Sequence, residues 1–215
     1  MEQRIDELVK SYREDMIQSL EELVRIPSVI NLENAGEGAP FGQEIRSALD
    51  GLMELAKELG FKVRDYDGYA AAVDFGTEGK EVGILSHIDV VPAGNGWTRK
   101  PFLPEICDGK MYGRGTVDDK GPLVACLYAM KILKDSGLPL KRRVRMILGT
   151  NEETDWKCMD YYLNQVKPEL PTVAFSPDAE FPVTYAEKGM LQFTLTKILS
   201  ESVAIEGGSA FNSVP

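Results

Sequence analysis

Histidine is nearly absent: the 215-residue chain contains one, His87. That leaves one imidazole for any metal site the chain builds. Cysteine is scarce too, and Cys107, Cys126 and Cys158 are odd in number, widely spaced and form no C-x-x-C pair. This argues against a disulfide framework and fits free thiols in a reducing compartment. No uncharged stretch approaches the ~18 residues of a membrane span. The opening Met1-Glu2-Gln3-Arg4-Ile5-Asp6-Glu7 lacks the apolar core of a signal peptide. Basic residues are outnumbered, 24 against 34, for a formal charge of −10, so the clustered Lys and Arg that bind a phosphate backbone are missing. The one basic cluster, Lys141-Arg142-Arg143, precedes an apolar run and reads as the solvated start of a strand. There is no internal repeat and no low-complexity tract. These absences predict a soluble cytoplasmic protein that binds neither nucleic acid nor membrane.

What is present is an ordinary globular composition, 43% hydrophobic and 27% charged. At roughly 150 residues per domain the length allows one large domain, or one plus a fragment. Such a chain buries a core without disulfides.

Apolar residues from Ile5 to Val24 recur at three- and four-residue intervals, predicting a helix that stops at Pro27. A second stripe, Ile45, Leu49, Leu52, Met53, Ala56 and Leu59, ends at Gly60, a suitable C′ residue. Phe61–Asp67, Ala70–Phe75 and Glu81–Val91 then read as strands. A long irregular stretch runs from Pro92 to Gly115, a length usually associated with function. Pro122 opens a helix ending at Gly137; Arg143–Leu148 reads as a strand, Asp155–Val166 as a helix and Thr172–Phe175 as a strand. Two further strands are expected over 183–199. The alternation predicts an α/β fold with a mixed, largely parallel sheet and helices on both faces.

Chemistry-bearing residues stand where the apolar runs end. Val82–Leu85 leads into Ser86-His87-Ile88-Asp89, Met146–Leu148 into Gly149-Thr150-Asn151-Glu152-Glu153, and Val173–Phe175 into Ser176-Pro177-Asp178. Asp118-Asp119 lies just before the helix at Pro122. Ligands bind beyond the carboxyl ends of strands in open α/β sheets, so these acids are expected in one crevice. Gathered carboxylates repel unless positive charge sits among them. Arg114 and Lys120 are candidates for part of that charge and a divalent cation for more. One imidazole with several carboxylates and no thiolate suits zinc or manganese. His87 and Asp89 alternate along an extended segment and share a face, which allows Asp89 to orient the imidazole. Each group also has a plain structural reading: a satisfied histidine, acids at helix N-termini, a turn aspartate. Gly113-Arg114-Gly115 lacks the third glycine and the preceding strand of a dinucleotide loop, so that reading is rejected.

Ser-His-Ile-Asp-Val-Val-Pro-Ala-Gly (86–94), Gly-Trp (96–97), Tyr-Gly-Arg-Gly-Thr-Val-Asp-Asp-Lys-Gly-Pro (112–122), Gly-Thr-Asn-Glu-Glu-Thr (149–154) and Phe-Ser-Pro-Asp-Ala-Glu-Phe-Pro (175–182) resemble the M20 family of co-catalytic zinc peptidases. Within it they are most similar to the PepV-like, Xaa-His or carnosine-type, bacterial dipeptidases. The resemblance implies a zinc-exopeptidase-like catalytic domain, of which residues 1–200 form the N-terminal part. Residues 201–215, with Gly-Gly-Ser-Ala-Phe-Asn-Ser-Val-Pro, resemble the opening of a lid domain.

It further implies two divalent metals, zinc first with manganese or cobalt as alternatives, and a dipeptide substrate. His87 would hold one metal, Asp118 would bridge both, and Glu153 and Asp178 would each add a carboxylate, one to each metal. Glu152 would be the general base, with Asp89 supporting His87, and the Asp118–Asp119 peptide is expected to be cis. The family takes a further metal-binding histidine from later in the catalytic domain and another from the lid, and this chain has neither. The chain therefore reads as the N-terminal portion of a dipeptidase, to be completed by self-association or by a C-terminal portion. The alternatives are an amidase acting on N-acyl amino acids, or a non-catalytic metal-binding fragment. The Asn-Glu-Glu and Phe-Ser-Pro-Asp-Ala-Glu stretches favour the dipeptidase.

Overall fold

The N-terminal apolar stripe folds as two helices in tandem, α1 (Glu2–Ser11) and α2 (Arg13–Val24), where periodicity alone predicts one. Tyr12 departs from helical dihedrals at φ −88° and ψ 1°. Its phenol is tied to the Asp135 carboxylate and its ring packs on Tyr128 at 5.8 Å. Periodicity reports which face is buried and says nothing of such a side-chain tie, so the dent is invisible in it. The computed structural model describes residues 2–179, 183–186 and 189. The chain divides into two units, Met1–Glu180 and Phe181–Pro215. In the second, 183–186 and 189 have no regular structure; the rest of the strands expected over 183–199, and the segment 201–215, lie outside the described residues.

Helix α3 (Gln43–Glu58) buries Ile45, Ala48, Leu49, Leu52, Met53 and Ala56, the stripe read from spacing. After it come β1 (Lys62–Tyr66), β2 (Ala70–Phe75) and β3 (Glu81–His87). Strand β3 stops at His87, short of the expected Val91. The following residues are held by other partners, Ile88 N–H by Gly149 O at 3.0 Å and Val90 N–H by Ser28 O at 2.9 Å. The irregular stretch contains a hairpin, β4 (Glu105–Cys107) and β5 (Lys110–Tyr112), turning at Asp108-Gly109. Both turn residues have positive φ, 51° and 73°, and Asp-Gly is a strong hairpin signal. Helix α4 (Lys120–Ser136), β6 (Arg143–Gly149), α5 (Lys157–Tyr161) and β7 (Val173–Phe175) complete the order. The helix expected to Val166 narrows to α5 and then widens into a π-turn over Tyr162–Val166.

The five-stranded sheet has the order β1-β2-β6-β3-β7. The β1–β2 and β2–β6 pairs are antiparallel, and β6–β3 and β3–β7 parallel. The sheet is mixed, with half of its pairings parallel rather than most. Helices flank it, and Leu49, Leu52, Leu123, Leu127, Met146 and Leu148 are fully buried in one cluster. The register sets His87 beside Gly149 on β6 and Ile84 beside Phe175 on β7. Strands β3 and β6 therefore end together, β7 ends three residues earlier alongside β3, and the chain after each carries acidic side chains toward the same end of the sheet.

The β1–β2 turn approaches another loop closely. Gly68 has φ +73°, and a Cβ there would lie 2.1 Å from the Gly38 carbonyl oxygen. Gly68→Ala is expected to cost about 1–3 kcal/mol, as overpacking against rigid backbone does. Urea unfolding measures it, and an unchanged midpoint would show that the turn moves aside freely.

Candidate metal centre

His87 terminates β3 and is 2% exposed. Its Nδ1 lies 3.0 Å from the backbone carbonyl of Asp89, to which Nδ1–H donates. That bond turns Nε2 toward the acids, where it can ligate a cation once its proton has left. Asp118 Oδ1 stands 3.2 Å from Nε2, Asp178 Oδ2 3.4 Å and Glu152 Oε2 3.8 Å. The buried Nε2 nevertheless makes no hydrogen bond: these oxygens are near it without lying along an N–H direction. Donor atoms form two overlapping triads, His87–Asp118–Glu153 and His87–Glu152–Asp178, each within 4.8 Å of one another.

Groups that face a common point and do not satisfy each other are what a cation requires. Each triad offers one imidazole nitrogen and carboxylate oxygens, a donor set that suits divalent zinc or manganese. The residues present fit two divalent metals.

The sequence-predicted residues all come together, with two differences of detail. The Asp89 carboxylate, expected to orient the imidazole, instead accepts the backbone N–H of Glu152 at 3.1 Å and of Glu153 at 3.0 Å. Its Oδ1 is 3.5 Å from Nδ1, and the backbone carbonyl takes the orienting role. Asp89 therefore fixes His87 with its main chain and the two glutamates with its side chain. Lys120, expected to lend charge to the acids, is fully buried and donates to Leu23 O at 2.9 Å and Ile26 O at 2.8 Å. Its ammonium ties the end of α2 to the start of α4, and burial lowers its pKa to about 7. Arg114 stays near Asp118 and helps lower that carboxyl's pKa, while its guanidinium lies 5.4 Å over the Trp97 ring.

The acids respond to their surroundings in different directions. Burial opposes charge on His87, but Asp118, Asp178 and Asp89 overcome it and raise the imidazole pKa far above its ordinary value. Asp118 is lowered, first by its contact with His87. Burial raises Glu152, and burial followed by the charge of Asp118 raises Glu153 to about 7. The adjacent glutamates point differently, Glu153 joining Asp118 and Glu152 joining Asp178. Beside the second triad lies a cavity of about 70 Å³ walled by Leu85, Trp156, Cys158 and Met159 among others.

Residues that sequence reasoning passed over hold these acids in place. Asn151 is buried, and its Oδ1 accepts Lys157 N–H at 2.8 Å, closing the turn that carries both glutamates. Thr150 Oγ1 donates to Gly68 O at 3.1 Å. Asp119 was noted only as the partner of Asp118 in an expected cis peptide; it is fully buried, and that peptide is cis. For Thr150 and Asn151 the only signal was a polar residue directly after an apolar run.

Comparison with known proteins agrees with this geometry. The model of peptidase family M20/M25/M40 matches residues 83–206. The chain is 46% identical over 183 residues to the "Putative dipeptidase YtjP" of Bacillus subtilis (strain 168), covering 85% of this chain and 39% of that protein. It is 42% identical over 218 aligned positions to a "Putative dipeptidase" of Staphylococcus aureus (strain USA300), covering 97% of this chain and 46% of that one. The chain thus spans less than half the length of these relatives. Among solved structures, human carnosine dipeptidase 1 superposes with a TM-score of 0.67 at 22% identity, over 78% of this chain and 38% of that one. The di-peptidase Dug1p from Saccharomyces cerevisiae superposes with 0.63 at 21%, over 76% and 37%. These two likenesses concern the fold. No described helix is long and apolar enough to cross a membrane.

Proposed function

Because the chain belongs to peptidase family M20/M25/M40, we propose that it forms the metal-binding part of a hydrolase that cleaves dipeptides. The observation that carries this reading is the buried, unpartnered Nε2 of His87 with three carboxylates around it. His87, Asp118, Glu153 and Asp178 would hold two divalent cations, zinc in the first instance. Bound there, such cations supply Lewis acidity and make water a stronger acid.

The chain's own residues supply the remainder. Glu152 takes the proton of the attacking water and returns it to the departing amine. Burial raises its pKa, which brings its basicity nearer the operating pH. Asp89 keeps Glu152 and Glu153 aimed apart by holding both backbone amides.

Residues 1–200 are read as the N-terminal part of the catalytic domain and 201–215 as the beginning of a lid. The greater length of the relatives supports a further portion, or a second copy, that adds the remaining ligands. The free cysteines support a cytoplasmic setting. The test is hydrolysis of a panel of dipeptides and N-acyl amino acids by the zinc-loaded chain joined to that further portion. Dipeptide cleavage that a chelator removes and zinc restores is expected. Preference for N-acyl amino acids would replace dipeptidase by amidase, and no turnover with two metals bound would sink the hydrolase reading.

A further inference from the structure

Asp119 stands at the N-cap of α4, where an aspartate ordinarily accepts a hydrogen bond from the first turn of its helix. Its side chain makes no such bond. The carboxylate is turned toward the end of β3 instead. There Oδ2 accepts the Ser86 hydroxyl and, at 3.2 Å, the His87 backbone N–H. Its Oδ1 is buried without any partner, a placement that costs free energy. A group that forgoes capping its helix and leaves one oxygen unsatisfied is poorly explained by helix stability.

The elements it joins explain it better. His87 belongs to the last residue of a strand, and Asp118 to a loop that reaches the site from another part of the chain. Asp119 follows Asp118 directly and grips the backbone of His87, so its carboxylate directly links the two carriers of the first triad. Lys120 secures the same loop from the opposite side, through Leu23 and Ile26. The first triad needs donor atoms from both carriers at a fixed separation, and small displacements there reduce metal affinity.

We infer that Asp119 is a positioning residue, which sets the separation of His87 and Asp118 through Ser86 Oγ and His87 N and thereby tunes the affinity of the first metal site. The inference rests on the metal-site reading above. It goes beyond that reading in assigning a determinant of affinity to a residue that is not itself a ligand.

The experiment is a calorimetric zinc titration of the wild-type protein, Asp119→Ala, Asp119→Asn and Ser86→Ala, with circular dichroism and urea unfolding of each. Asp119→Ala is expected to weaken the first zinc site by about 10–100-fold, the usual loss when a ligand's supporting partner is removed. Asp119→Asn is expected to recover to within about threefold, because one amide oxygen has two lone pairs and can serve both donors. Ser86→Ala, which removes one tie and keeps the other, is expected to fall by about tenfold, and it carries the test if Asp119→Ala does not fold. A folded Asp119→Ala whose urea midpoint drops while its zinc affinity is unchanged would show a purely structural role and overturn the inference. Failure of the wild-type protein to bind zinc would instead overturn the metal-site reading, so the two failures are distinguishable.

Discussion

Replacing Glu152 by Gln is expected to slow zinc-supported dipeptide hydrolysis by about 10²–10⁴-fold, the span associated with a lost general base. Zinc affinity is expected to stay within about threefold, since an amide oxygen keeps the shape of the carboxylate but cannot accept the proton. The pairing of these two results makes the substitution informative. Glu152 stands in the second triad, with Oε2 3.8 Å from His87 Nε2, so position alone permits it to be a ligand or a base. A variant that loses affinity in step with rate would make Glu152 a ligand. Retained activity would remove it from the mechanism. Initial rates on a dipeptide panel, beside a calorimetric titration, separate these results.

The second large effect concerns His87, whose imidazole belongs to both triads. His87→Ala is expected to abolish tight binding of the one cation that Nε2 ligates, whereas Asp178→Ala weakens the second triad and spares the first. At zinc one hundredfold above its dissociation constant, binding stabilises a folded protein by about 2.7 kcal/mol. For a chain of this size that corresponds to a rise of roughly 5–10 °C in the unfolding midpoint. His87→Ala should lose the part of that zinc-dependent rise that comes from the cation Nε2 holds. Proton release supplies an independent readout. The surrounding carboxylates keep the metal-free imidazole protonated at neutral pH, and a ligating histidine must be neutral. Zinc binding at pH 7 is therefore expected to release about one proton from His87, and release should fall as the pH rises toward the raised pKa. Titrations in buffers of different ionisation enthalpy measure it. A His87→Ala variant that still binds two metals tightly would contradict the ligand role of this residue.

The sequence was most legible where chemistry and periodicity coincide. Apolar runs ending in His87, Glu152-Glu153 and Asp178 marked parallel strands finishing at one edge, and the register of β3 with β6 and β7 places them there. The buried stripe of α3 was equally plain. What escaped notice depends on direction rather than residue type. Asp89 was assigned to the imidazole because alternate residues share a face, but a carboxylate follows available donors, and two unpaired amides lay closer to hand. Lys120 looked like a counter-charge because it adjoins two aspartates; its long side chain carries the ammonium to Leu23 and Ile26 instead. The Asp108-Gly109 hairpin was readable from its turn signal and was obscured by the prolines around it. The dent at Tyr12 and the π-turn after α5 leave no mark in hydrophobic spacing, because both preserve the buried face.

The donors of the first triad are contributed by positions 87, 118 and 153, far apart along the chain; parallel pairing of β3 with β6 brings the first and last together, and the tie from Asp119 to the end of β3 brings in Asp118. Closing each intervening loop carries an entropic cost of about 3 kcal/mol in its length-dependent part alone. Sheet formation meets that cost before a cation arrives, so little chain entropy remains to be lost on binding. Affinity at this centre is thereby tied to the cooperative integrity of the whole sheet rather than to the flexibility of any one loop.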